Sequence, residues 1–405
     1  MAASANAKPN SPSHDTMPAM AASAPAISQL PVWQMPLKAL PSWAHSDKGV
    51  GILDRTLGAS RANKRRRGRR GTGKVRITDV ALLAGVAPIT VSRVLNAPDS
   101  VAAETLRRVR EAIDRTGYVP NMLAGGLASS CTRLVAAVVP TIASPVFQET
   151  WEALTDTFAD AGYHLTFGQT GYGGAREDEL LDAIIARRPD GIVLTGIMRS
   201  PLGRRRLIAA GIPVVETWDL TPTPIDMLVG FSHENIGVAV AEYLHSKGRR
   251  RIAVITAADD RARRRAKGLT VAAARLGIAT ALAPELPMFV AAAPGTLGSG
   301  RKGLGDLLAR HPSIDAVFCS SDMLALGAVI EAEAREIPVP EGVAVVGYGN
   351  LNFAADAFPP LTTVSVDGPA IGHLAARCII DRAQGRSVPE PVVDVGFSLV
   401  ERASA

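Results

Sequence analysis

Within residues 88 to 96, PITVSRVLN, two hydroxyls, an amide and a guanidinium fall on one turn-rich stretch. Wound as a helix, the stretch buries Val91, Val94 and Leu95 and leaves Ile89, Thr90, Ser92, Arg93 and Asn96 facing out. A short helix with that polar face suits the major groove of DNA. The preceding residues must position it. Thr78 is placed to cap a first helix, with Asp79 near its positive end. Val80, Ala81 and Ala84 give that helix an apolar side, and Gly85 breaks it where a turn needs positive φ. Pro88 suits the first turn of the second helix, where a missing N–H costs nothing. The pattern is that of a helix-turn-helix. An ordinary surface helix pair would require turn, cap and polar face to agree by accident.

A third helix is expected over residues 101 to 116, packed through Val101, Thr105, Val109 and Ile113, with Tyr118-Val119-Pro120-Asn121 closing the unit. Residues 75 to 130 resemble the lactose-repressor (LacI-type) family of bacterial transcription regulators. The resemblance implies DNA contacts from Thr78, Pro88, Ile89, Thr90, Ser92, Arg93, Asn96, Thr105, Tyr118 and Asn121. It also implies a hinge helix at residues 121 to 129, whose Leu127 enters the minor groove. Ala102 replaces the usual serine cap, and Gly125-Gly126 weakens the hinge helix. The segment therefore reads as one that orders only with DNA and a second subunit. A plain flexible linker is the competing reading.

Composition agrees with an α/β protein, since aromatics are few and alanine, valine and leucine abundant. Cys131, Cys319 and Cys378 are widely separated and lack metal-ligand spacing, so reduced thiols in a cytoplasm are expected, and the family resemblance implies a bacterial one, near the nucleoid. No apolar run reaches membrane-spanning length, and the N-terminus lacks the pattern of a secretory signal. Residues 1 to 74 hold twelve Lys/Arg against three Asp/Glu, a net +9 that leaves −3 for the remainder. This Ala/Pro/Ser-rich basic leader is expected to be disordered. Its run at residues 64 to 70, KRRRGRR, either adds phosphate contacts or is simply solvated.

From residue 133 onward, apolar runs alternate with amphipathic helical stretches. The runs are LVAAVV (134–139), GIVLT (191–195), IPVVE (212–216), RIAVI (251–255), DAVFC (315–319) and VAVVG (343–347). Such alternation predicts parallel sheets flanked by helices, and too many units for one sheet. The expected fold class is α/β: an all-α headpiece followed by a two-lobed core of parallel sheets, which the family resemblance implies is periplasmic-binding-protein-like. The predicted boundaries are a leader at 1–74, a headpiece with hinge at 75–130, and a core at 131–405. Lobe 1 takes about 131–231 plus 366–405, and lobe 2 about 232–365. Ligands of such sheets sit beyond the carboxyl ends of the strands.

The run PVVETWDLTPTPIDMLVGFS (213–232), with IVLTG, CSSDMLALG and VVGYGNLNFA, closely resembles the gluconate-operon repressor branch of the family. The branch implies a homodimeric repressor of sugar-acid utilisation genes, released from operator DNA when gluconate or a close derivative binds the cleft. A sugar acid requires a guanidinium for its carboxylate and acceptors for its hydroxyls. Among the arginines of ITAADDRARRRAKG, the resemblance selects Arg263, then Arg265, and leaves Arg261 and Arg264 solvated. Glu216 is expected to accept hydroxyls and Trp218 to stack on the carbon chain. Phe147, Phe289, Ser321 and Asp322 complete the expected effector set, with helix capping the competing role for Asp322. Arg199 stands where branch members have histidine, and implies an added anion contact such as a phosphorylated sugar acid.

Enzyme chemistry finds no support in the motifs. GTLGSGRKG (295–303) departs from a phosphate-binding loop, follows no expected strand, and reads as a loop. The histidines are scattered, with no HExxH and no nucleophile elbow. No cofactor or metal is expected. A transporter's solute-binding protein would share the core fold, but not the helix-turn-helix.

Overall fold

The computed structural model describes residues 75–119, 131–172, 176–278 and 286–405. The leader and the expected hinge, with Asn121 and Leu127, lie outside the described residues. Helices α1 (Ile77–Ala84), α2 (Pro88–Asn96) and α3 (Ala103–Thr116) pack around Val80, Ala81, Ala84, Val91, Val94, Val109 and Ala112. Leu95 and Ile113 are only partly buried at the edge of that cluster.

Two helix starts differ from expectation. Arg76, not Thr78, is the N-cap of α1, and Thr78 lies inside the helix. Asp79 explains the shift: its Oδ2 accepts the Arg76 backbone N–H at 2.8 Å, as the third residue of a helix can do for its cap. Helix α3 begins at Ala103, because Pro98–Ser100 form a 3-10 turn and Val101 is extended. Gly85 adopts φ +65° and ends α1, as its position between the helices requires. Arg108 of α3 reaches back to donate to the Ala84 and Gly85 carbonyls, fixing the turn that orients α2.

Among the described residues, the core holds two six-stranded sheets. The first comprises β1 (Leu134–Val139), β2 (His164–Gln169), β3 (Gly191–Thr195), β4 (Val214–Thr217), β5 (Met227–Gly230) and β11 (Val392–Asp394), all parallel, in the order β11-β5-β4-β3-β1-β2. The second comprises β6 (Ile252–Ala257), β7 (Met288–Ala291), β8 (Ala316–Cys319), β9 (Ala344–Tyr348), β10 (Thr362–Ser365) and β12 (Ser398–Val400). Its order is β12-β10-β9-β8-β6-β7, with β12 alone antiparallel. Helices α4 (Gln148–Asp160), α5 (Glu177–Ile185), α6 (Pro201–Ala210) and α11 (Gly368–Ala383) serve lobe 1. Helices α7 (His233–Ser246), α8 (Asp260–Arg275), α9 (Leu297–Arg310) and α10 (Asp322–Ala334) serve lobe 2. Central strands such as β1 are apolar throughout because helices cover both faces, whereas the edge strand β2 is mostly exposed, with only Leu165 and Gly168 partly buried.

The chain crosses between lobes after β5, after β10 and after β11. The last crossing corrects the expected boundary, since residues 398–405 return to lobe 2. The reason is the open edge of β10: β12 pairs with it through Thr363↔Val400 and Ser365↔Ser398. Ser404 then locks the end in place. It exchanges bonds with Val345, from whose N–H its carbonyl accepts at 2.7 Å, and accepts the Thr362 N–H on its hydroxyl at 2.8 Å.

The glycine-rich stretch at 295–303 also differs from expectation. It follows strand β7, and its larger part is the first turns of α9. A Cβ on Gly300 would meet the Leu324 carbonyl oxygen at 2.2 Å, so glycine here permits the close crossing of α9 and α10. Among the described residues, no single helix is long and apolar enough to cross a membrane.

Candidate functional site

Two surfaces carry chemistry. On the headpiece, α2 turns Ile89, Arg93 and Asn96 fully outward, with Thr90 and Ser92 half-buried beside them. Ile89 is 63% exposed, an apolar residue set among donors and acceptors rather than packed in the core. The Asn96 amide donates to the Ser92 carbonyl at 2.9 Å, which holds it along the outer face. Pro88 is exposed at the start of the same helix, while Thr105 and Tyr118 are half-buried on and after α3.

In the core, a cavity of about 280 Å³ lies between the lobes at the carboxyl ends of the strands. Lobe 1 supplies Ser144, Phe147, Tyr172 and Trp218, and lobe 2 supplies Asp259, Arg261, Arg265, Ser321 and Tyr348. Phe147 is placed by a 3-10 turn, Pro145–Phe147, just ahead of α4, and its ring meets that of Trp218 edge-on at 4.8 Å. Trp218 follows β4 directly, in the left-handed region at φ +64°.

Strand β6 ends at Ala257, and Asp259 caps α8 by accepting the Ala262 N–H at 2.9 Å. That start decides the fate of the four arginines. Arg261 and Arg265, one helical turn apart, share the cavity face. The Arg265 guanidinium is buried, stacks 3.8 Å from the Tyr348 ring centre, and donates to the Ser320 carbonyl at 3.0 Å. Arg261 lies 5.0 Å from the Phe147 ring centre. Burial presses the Arg265 guanidinium below its ordinary value, with Tyr348 and Asp259 acting the other way. Arginine nevertheless stays charged at neutral pH.

Several expected assignments change. Arg263 does not reach this cavity; it is exposed and paired with Asp260 at 2.8 Å, because it sits on a different helix face. Asp260 also holds Arg199 at 2.6 Å, so the two cations share one carboxylate beside a neighbouring cavity of about 430 Å³. Arg264 is not solvated: it crosses to lobe 1 and pairs with the buried Asp219. Burial holds the Asp219 carboxyl above its usual range, against the pull of Arg264.

Glu216 has no surface in the cavity. It is fully buried and accepts the backbone N–H of Met198 at 2.8 Å and of Ile225 at 2.9 Å, so it ties two loops together. Phe289 packs into the lobe 2 core against Leu304 and its neighbours. Ser321, not Asp322, caps α10, accepting the Leu324 N–H at 3.3 Å while lining the cavity. Asp322 is buried behind it, accepting the Thr363 hydroxyl at 2.6 Å and the Leu351 N–H at 2.7 Å.

Sequence reasoning missed Tyr172, His233, Arg261 and Tyr348. The i, i+4 spacing of Arg261 and Arg265 was the one available signal, since residues so spaced share a helix face.

The description "Bacterial regulatory proteins, lacI family" matches residues 76–121, and "Periplasmic binding protein-like domain" matches residues 241–405. The HTH-type transcriptional regulator GntR of Pseudomonas aeruginosa is 37% identical over 336 residues, covering 83% of this chain and 97% of that one. The chain belongs to the LacI family. Within it, the chain falls in the GntR branch. Two solved structures agree with that placement. A LacI-family regulator from Silicibacter pomeroyi is 30% identical with a TM-score of 0.75, covering 82% of this chain and 99% of that one. The transcription regulator GntR from Chromobacterium violaceum is 33% identical with a TM-score of 0.63, covering 67% and 98%. As a member of this family of regulatory proteins, the protein is a DNA-binding transcriptional repressor and not an enzyme.

Proposed function

We propose that the effector is a sugar acid of the gluconate type, bound in the cavity between the lobes and lowering operator affinity. One observation carries this reading. Three buried donors on cavity-lining side chains, Arg261 Nη1, Arg265 Nε and Trp218 Nε1, have no acceptor among the described residues. Buried donors left unpaired are costly, so their natural partner is a ligand rich in acceptors. Two guanidinium groups on one wall favour an anion among such ligands, and a carboxylate matches their forked geometry. The aromatic wall of Phe147, Trp218 and Tyr348 suits the carbon chain of a polyol.

Calorimetric titration of the full-length protein with gluconate, 2-ketogluconate, 6-phosphogluconate and neutral glucose tests the assignment. Saturable binding of at least one acid, tighter than glucose, is expected. Binding of glucose with no response to any acid would overturn the effector class.

On the DNA side, we propose that α2 of each subunit reads one half of a short palindrome through Ile89, Thr90, Ser92, Arg93 and Asn96. Arg93→Ala is expected to weaken specific operator binding by about 1–3 kcal/mol, the range of a good base contact. A gel-shift comparison of operator with random DNA at matched salt checks it. An unchanged ratio of the two affinities would remove Arg93 from base recognition.

A further inference from the structure

His233 is the first residue of α7, where the chain first enters lobe 2, and it is 1% exposed. Its ring nitrogens reach different lobes. Nε2 lies 3.0 Å from the Trp218 carbonyl oxygen, and Nδ1 lies 3.0 Å from Arg265 Nη1. A guanidinium nitrogen only donates and a carbonyl oxygen only accepts. The two contacts together admit one form of the ring, neutral with its hydrogen on Nε2.

The surroundings enforce that form. Arg261, Arg264 and Arg265 of α8 all face the ring with positive charge, and Phe231 and Tyr348 flank it at 4.8 and 6.5 Å. Burial first, then these arginines, holds its pKa well below the ordinary histidine range. A second proton would turn Nδ1 into a donor facing a donor. Both residues that His233 holds line the cavity, and Trp218 keeps a left-handed backbone that needs outside support.

We propose that His233 is a positioning residue for effector binding, whose two hydrogen bonds lock the Trp218 backbone of lobe 1 and the Arg265 guanidinium of lobe 2 into one preformed clamp. A ligand that grips both side chains then meets groups already ordered, and loses less freedom in ordering them. The inference rests on the cavity being the effector site.

The test uses two variants of the full-length protein. His233→Gln keeps one donor and one acceptor at comparable reach, whereas His233→Leu fills the space with neither. Gluconate titration should give binding about tenfold or more weaker in the leucine variant, and restored to within about threefold in the glutamine variant. Circular dichroism and melting temperature show whether each variant is folded. Equal gluconate affinity in the leucine variant and the unmodified protein would overturn the proposal.

Imidazole and indole NMR decide the matter even if the unmodified protein binds none of the sugar acids, an outcome that overturns the effector class instead. The His233 ring should be neutral and Nε2-protonated at pH 6, and the Trp218 indole resonance should shift in the leucine variant but not in the glutamine one. A charged ring, the other tautomer, or an indole unmoved by leucine would each overturn the role of His233.

Discussion

Arg265→Ala is expected to abolish the effector response while leaving operator recognition in place. The substitution removes two cavity-facing contributions at once: a charge, and the unpaired Nε donor. Truncating one partner of a buried, hydrogen-bonded charge pair typically costs about 2–5 kcal/mol, which is on the order of thirty- to several-thousand-fold in affinity. Arg265→Lys should recover little, because an ammonium keeps the charge but loses the planar fork and its stacking on Tyr348. Operator binding titrated with and without gluconate checks both variants. By contrast, Arg263→Ala should change gluconate affinity little, since its guanidinium is exposed and held by Asp260. A strong loss in the Arg263 variant with none in the Arg265 variant would reverse the assignment.

Arg264→Ala is the second large effect, and it acts on stability. The Arg264–Asp219 pair joins the lobes with side chains only 22% and 2% exposed. Removing the guanidinium leaves a buried carboxylate without its ion-pair partner, held only by the Leu220 N–H at 2.8 Å, a loss of about 3–5 kcal/mol in comparable cases. Asp219 already has a raised pKa in the folded protein, and without Arg264 it rises further. A carboxyl whose folded pKa lies above its unfolded value favours folding at acid pH, and that contribution is lost as pH rises through the folded pKa. The variant should therefore be closest to the unmodified protein near pH 4 and fall progressively behind it toward neutrality. Thermal melts across that range measure the difference, and adding Asp219→Asn should remove much of it. Identical melts at neutral pH would show that the pair contributes nothing.

The architecture was legible where burial writes a period into the residues. The central strands β1, β3, β8 and β9 appear as unbroken apolar runs because both faces are covered, and α1 and α2 are punctuated by Gly85 and Pro88. Edge strands were less legible: β2 exposes most of its residues, so HLTFGQ carries no distinctive run, and β7 is a short apolar run, MFVA, that the sequence reading did not single out as a strand. The cavity was legible only in part. Trp218 and Ser321 follow from their places after strands, Phe147 and Arg265 from the family resemblance, and each lines it. Glu216 misled because a carboxylate at a strand end serves two backbone N–H groups as readily as a ligand's hydroxyls. His233 and Tyr348 come from distant parts of the chain, and only the folded contacts reveal that they meet around Arg265.

The return of the chain to both sheets at its far end has a consequence for synthesis. Strand β11 completes the first sheet beside β5, and β12 completes the second beside β10, so both edges wait for residues 392–400. The headpiece cluster, by contrast, is built, among the described residues, from contacts within residues 77–118. A ribosome releasing this chain thus delivers a folded reading head long before either regulatory lobe can close. In the interval both lobes present unpaired strand edges, the form in which nascent sheets associate wrongly. A message cut short ahead of β11 would keep every residue of the headpiece while leaving both sheets without their last strand.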